Sequence, residues 1–170
     1  SSRTLGDRYK LTALWGSQAG SLLLWTWLLS LAASLVVVTN RRRNRELMPV
    51  VVAVLMALGV FFTSILSFIT SPFETISPVP ADGRGLNPLL QDPGMVIHPP
   101  MLYLGFVSFV IPYAFAMAAL ITGRTDDRWI RITRRWTLWA WLFLSCGLVL
   151  GSRWAYDVLG WGGFWGWDPV

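Results

Sequence analysis

A single histidine, His98, stands directly before Pro99-Pro100 at the head of a long apolar segment. Neutral imidazole is a good ligand for haem iron. The two prolines restrict the backbone and suit the first turn of a helix, so the ring would be held at a helix start instead of swinging on a flexible tail. The ordinary reading of such a position is a surface histidine beside a helix end. Bis-imidazole iron would also need a second histidine, which this chain lacks.

A second cluster lies near the C-terminal end, in Trp154-Ala155-Tyr156-Asp157-Val158-Leu159-Gly160-Trp161-Gly162-Gly163-Phe164-Trp165-Gly166-Trp167-Asp168. Membrane proteins place Trp and Tyr at their water interfaces, and an interfacial belt is the plain reading of these rings. Here, however, glycines alternate with the large flat side chains. They remove bulk between the rings and let the backbone approach a flat ligand closely. A planar, apolar, polycyclic molecule fits that pattern. Asp157 and Asp168 could orient indole N–H groups, and Arg153 could pair with a carboxylate at the rim of such a ligand.

A third string, from Trp15 through Gly16, Ser17, Gln18, Ala19 and Gly20 to Trp25, leads small residues into an apolar run, and small residues permit tight helix packing. Its chemistry is not specified by its residue types. Catalytic residues cannot be assigned: there is no phosphate loop, no intramembrane carboxylate pair and no serine with a plausible histidine partner. Cys146 is the one cysteine, so no disulfide, CxxC redox pair or Cys-pair zinc site forms within the chain.

The elements that must position these residues are membrane helices. The chain is 54% hydrophobic and 14% charged, against about 25% charged for soluble domains, and it holds eleven tryptophans. A crossing helix needs about 20 apolar residues. Segments 21–39, 49–69, 101–121 and 136–151 meet or approach that length, so the expected fold class is all-α, a polytopic helix bundle with four spans. No linker or repeat divides residues 1–170, which read as one membrane domain and as the interior of a longer protein.

The net charge of +5 does not indicate nucleic acid, because the arginines stand in short runs between apolar segments. Arg41, Arg42, Arg43 and Arg45 occupy one connection, and Arg124, Arg128, Arg131, Arg134 and Arg135 another; together they are nine of the fourteen basic residues. Positive loops stay cytoplasmic. Both ends of the chain, the proline-rich segment 70–100 and the aromatic segment 154–170 are then expected on the outer face. The last part of the central loop, 87–97, is apolar enough to be expected on the membrane surface.

With these residues in view, the sequence resembles the haem-handling membrane proteins that carry a WWD domain. Trp161-Gly162-Gly163-Phe164-Trp165-Gly166-Trp167-Asp168 matches their Trp-Gly-x-x-Trp-x-Trp-Asp loop. Within that superfamily, His98-Pro99-Pro100-Met101-Leu102-Tyr103-Leu104-Gly105 and the Trp15–Trp25 string are similar to CcmF, the haem lyase subunit of system I cytochrome c maturation. Many relatives have His-Glu where this chain has Gln18-Ala19, and Trp where it has Phe164.

The resemblance implies that His98 is one of two outward axial haem ligands, and that residues 161–168, flanked by Trp154 and Tyr156, form the shelf that holds haem. It further implies haem b, with membrane-buried histidines for a resident haem lying outside this chain. The implied reaction is thioether bond formation between haem vinyl groups and the two cysteines of a CxxCH segment in apocytochrome c. The implied partners are a CcmE-like haem chaperone and CcmH-like maturation subunits, and the implied location is the bacterial inner membrane with the haem site periplasmic. Two other classes fit parts of the pattern. A membrane electron carrier with haem b would carry histidines inside its spans, and a structural scaffold would use the tryptophans only as a belt. A further alternative is a paralogous lyase dedicated to nitrite reductase.

Overall fold

A computed structural model describes residues 2–42, 44–75, 77–83, 85–159 and 166. Every regular element in it is helical: α1 (Asp7–Thr12), α2 (Gln18–Asn40), α3 (Met48–Phe68), a 3-10 turn (Pro88–Leu90), α4 (Pro93–Ser108), α5 (Val110–Ile121), α6 (Arg128–Trp154) and a π-helical turn (Ala155–Leu159). Four helical stretches are long and apolar enough to cross a membrane: Gln18–Asn40, Met48–Phe68, Pro93–Ile121 and Arg128–Val158. The 23 residues of α2 reach about 35 Å at 1.5 Å per residue, enough for the hydrocarbon core. Large apolar side chains such as Trp27, Val60, Phe61, Trp139 and Trp141 face outward, as lipid solvation requires and water would not favour.

Local chemistry explains the helix starts. Ser17 caps α2 by accepting the Gly20 N–H at 3.1 Å. Within α2 the hydroxyls of Thr26, Ser30 and Ser34 donate to carbonyls one turn back at 2.8–2.9 Å, so these polar groups are satisfied inside an apolar span. Proline in the first turn opens α3, where a missing N–H costs nothing.

The third span differs from the sequence expectation of 101–121. It begins at Pro93, because Asp92 caps the helix by accepting the Gly94 N–H at 2.7 Å. Segment 93–100 is therefore helix and not the end of the outward loop, and Pro99 and Pro100 lie inside α4. The span also breaks once, at Phe109 between α4 and α5. Pro112 accounts for the break, since it offers no N–H to the Ser108 carbonyl.

The fourth span also exceeds its expected bounds of 136–151, running from Arg128 to Trp154. Charges bound an apolar stretch but not a helix. The arginines of the first turns remain exposed while Trp129, Ile132 and Trp136 of the same turns pack on the core.

That core fills one end of the bundle, where Val36 of α2, Val51 and Leu55 of α3, and Ile111, Ala114 and Phe115 of α5 are at most 1% exposed. Both arginine-rich connections close this end. Glu46 in the α2–α3 connection pairs with Arg124 and, at 3.8 Å, with Arg128 in the α5–α6 connection. At the opposite end lie the starts of α2 and α4 and the end of α6, and there α4 and α6 pack most closely.

Candidate functional site

The α4–α6 contact is an antiparallel ladder in which each rung holds a glycine. Gly94 meets Trp154, His98 meets Gly151, Leu102 meets Gly147 and Gly105 meets Leu144. A Cβ at Gly147 would stand 2.6 Å from Leu102 Cα, and one at Gly105 would collide with the Leu144 backbone. Small residues spaced four apart, here Gly147 and Gly151, are the usual means by which membrane helices bring their backbones together.

His98 lies in this ladder and not on the surface. It is 4% exposed, and its Nδ1 is 2.8 Å from the Gly147 carbonyl oxygen. A carbonyl only accepts, so Nδ1 carries a proton in this contact, which leaves Nε2 as the ring atom whose lone pair can serve a metal in the neutral form. The ring also stacks on Trp154, with centroids 6.2 Å apart and planes at 21°. Thus Pro99 and Pro100 do not fix His98 by starting a helix, as the sequence suggested. Packing against α6 fixes it.

The prolines create a different requirement. Pro99 has no N–H for the Met95 carbonyl one turn earlier, and Met95 is 7% exposed. Trp15 supplies the donor: its Nε1 lies 3.0 Å from the Met95 oxygen. The string before α2, which the sequence left without a role, ties the His98 helix to the rest of the bundle in this way.

Two cavities flank His98. The larger, about 330 Å³, is lined by Gly94, Ile97, His98, Arg153, Trp154 and Asp157. A smaller one of about 160 Å³ is lined by Trp15, Met95, His98, Tyr103 and Trp154 among others. Arg153 Nε lies 3.5 Å from Asp157 Oδ2 at the rim of the larger cavity, and both side chains are exposed. The indole Nε1 of Trp154 is buried without a hydrogen-bond partner among the described residues.

Of the sequence-predicted residues, His98, Trp154 and Arg153 come together around the larger cavity. Tyr156, on the π-helical turn, is 50% exposed and lines neither cavity. The shelf residues Trp161, Gly162, Gly163, Phe164, Trp165, Trp167 and Asp168 lie outside the described residues. No three His, Cys, Asp or Glu side chains converge among the described residues; His98 is the nitrogen ligand that the larger cavity offers, with Asp92 and Asp157 also in its lining. Trp15, Gly94, Gly147 and Gly151 are participants that the motif reading missed. The spacing Gly147-Leu148-Val149-Leu150-Gly151 is the signal that could have found the last two.

Over 171 residues the chain is 47% identical to the cytochrome c-type biogenesis protein CcmF of Haemophilus influenzae, a match that covers all of this chain and 26% of the relative. It is 48% identical to the protein of the same name from Escherichia coli over 163 residues, 95% of this chain and 25% of that relative. The cytochrome c-type biogenesis protein NrfE of Haemophilus influenzae is 42% identical over 170 residues, all of this chain and 27% of that relative. The chain thus spans about a quarter of the length of the curated relatives it matches. No solved structure matches it. Residues 15–170 match the family described as cytochrome C assembly protein, and the chain belongs to that family.

Proposed function

We propose that this chain is the part of a cytochrome c haem lyase that presents haem, through His98, for covalent attachment to apocytochrome c at the periplasmic face of the bacterial inner membrane. The observation that carries the reading is the His98 geometry: a buried imidazole whose Nδ1–H is held by a backbone carbonyl, which fixes the direction of Nε2, with a cavity beside the ring. That is the arrangement in which histidine binds a metal, the second nitrogen being oriented by a hydrogen bond. Haem suits the remaining surroundings. Trp154 offers a flat apolar face, its indole N–H, unpartnered among the described residues, and the exposed Arg153 offer donors for propionate oxygens, and among those residues no group of three acidic, thiol or imidazole ligands competes.

The bound porphyrin would supply the electrophilic vinyl groups for thioether formation with the cysteines of a CxxCH segment. Everything else falls to the chain: His98 fixes the ligand position, Trp154 and the shelf 161–168 exclude water, and the open side of the cavity admits the peptide. His98 is the only histidine in the chain, so it is the residue that would hold the haem iron from this segment, and any second imidazole would have to come from outside it. A haem chaperone of the CcmE kind delivers the cargo, and CcmH-like subunits present the reduced apocytochrome. Identities of 47–48% to CcmF proteins against 42% to NrfE favour the general lyase over its paralogue.

His98→Asn in the full-length protein tests the proposal. Asparagine keeps a donor near the position of Nδ1 for the Gly147 carbonyl but has no counterpart of Nε2. The expected result is normal accumulation in the membrane with loss of the outward haem signal and of holocytochrome c. Unchanged haem spectra together with unchanged holocytochrome yield would sink it.

A further inference from the structure

The role of Gly147 and Gly151 is not accounted for by packing alone. The three nearest atoms to a Cβ built at Gly151 all belong to the His98 ring, with Cε1 at 2.5 Å and Nδ1 and Nε2 each at 3.0 Å. At Gly105 and Gly147 the nearest atoms are instead backbone atoms of the facing helix. So two rungs of the ladder bring helices together, while the Gly151 rung makes room for one imidazole. Gly147 contributes its carbonyl to the same ring.

We infer that Gly147 and Gly151 are positioning residues for the His98 ligand, the Gly147 carbonyl selecting the tautomer and ring flip and the bare Cα of Gly151 admitting the ring plane. The inference rests on the reading of His98 as a haem ligand. Rotating the imidazole by half a turn would replace Nδ1 by a C–H at the Gly147 oxygen and forfeit a buried hydrogen bond. One flip is therefore favoured, and with it one direction for Nε2. An N–H donated to a carbonyl makes the other ring nitrogen a stronger donor to iron, which favours the ferric state. A methyl group at residue 151 would push the ring away from the carbonyl and weaken both effects.

The test uses the full-length protein loaded with haem, reading the absorption that His98→Asn removes. Gly151→Ala is expected to accumulate normally, to retain that haem about tenfold less well, and to shift its midpoint potential to more positive values. Gly105→Ala, on the same seam but without contact to His98, is the control: it lowers thermal stability and leaves the potential of the remaining haem unmoved. The inference is overturned if Gly151→Ala matches the parent in spectrum and potential, or if Gly105→Ala moves them equally.

Should Gly151→Ala fail to accumulate, the double variant His98→Asn/Gly151→Ala must recover, because asparagine has no atom at the Cε1 position. Absence of recovery also overturns the inference. His98→Asn separates the two readings. Retention of the parent haem signal in that variant removes the ligand role itself, whereas its loss beside an unaffected Gly151→Ala removes only the positioning role.

Discussion

Replacing Trp15 by Phe should destabilise the bundle through one atom. The Met95 carbonyl is buried, Pro99 denies it a helical partner, and the Trp15 indole N–H at 3.0 Å is the donor that replaces one. Phenylalanine keeps most of the aromatic packing but leaves that oxygen unsatisfied, at a cost of about 1–3 kcal/mol. Within lipid the value falls toward the lower end, since partners can be found in the unfolded reference state too. Pro99→Ala changes the requirement, because alanine restores an N–H that reaches Met95 in the helix. The indole is then redundant. A double-mutant cycle in purified full-length protein, read by thermal or detergent denaturation, should therefore show that Trp15→Phe costs about 1 kcal/mol less in the Pro99→Ala background than in the parent. Strictly additive effects would refute the reasoning, since they would mean that Trp15 supports α4 through packing alone.

The remaining expectations are simpler. Gly105→Ala must spread α4 and α6 locally at the Leu144 rung, since its Cβ would meet backbone there, and a loss of about 1–3 kcal/mol should appear as a lower melting temperature. Glu46→Gln removes the acid that Arg124 and Arg128 share; with all three side chains about half exposed the cost is at most about 1 kcal/mol and should shrink further at high salt. Changing Arg41, Arg42 and Arg45 to Glu together should disturb the orientation of α2 and α3, as reporter fusions in the Arg41–Leu47 connection can reveal, while single changes there leave haem handling intact.

Much of the fold was legible in the sequence because membrane solvation writes it into composition. Four uncharged runs and two arginine clusters suffice to find four helices and to group their ends. What failed were boundaries governed by pairwise chemistry. Asp92 starts α4 eight residues before the expected Met101, and nothing in hydropathy distinguishes a capping aspartate from a loop aspartate. Prolines at 99 and 100 read as a helix start because their usual cost inside a helix is high. That cost is reduced here by an indole 80 residues away in sequence, which no local pattern reveals. The site was half legible for a related reason. Residue type singled out His98 and Trp154, but their burial and mutual stacking depend on the register of α6 against α4.

That register has a consequence for how the site works. A histidine at a helix end could be moved or replaced with little effect on the bundle, and its tautomer would be set by water. His98 is instead a rung of the tightest helix contact among the described residues, and its proton is held by the backbone of the facing helix. A displacement of α6 at the Gly147 and Gly151 rungs therefore reorients Nε2, and any ligand on Nε2 constrains that displacement in return. The π-helical turn Ala155–Leu159 is continuous with α6, so the same displacement would carry it relative to His98. Ligand geometry and helix packing are coupled at the two rungs that touch the imidazole. It follows that a bulkier residue at Leu102, which faces Gly147, should change haem properties with the local helix spacing, whereas Gly105→Ala at the Leu144 rung and substitutions on the lipid side of α6, such as Trp139→Leu, should not.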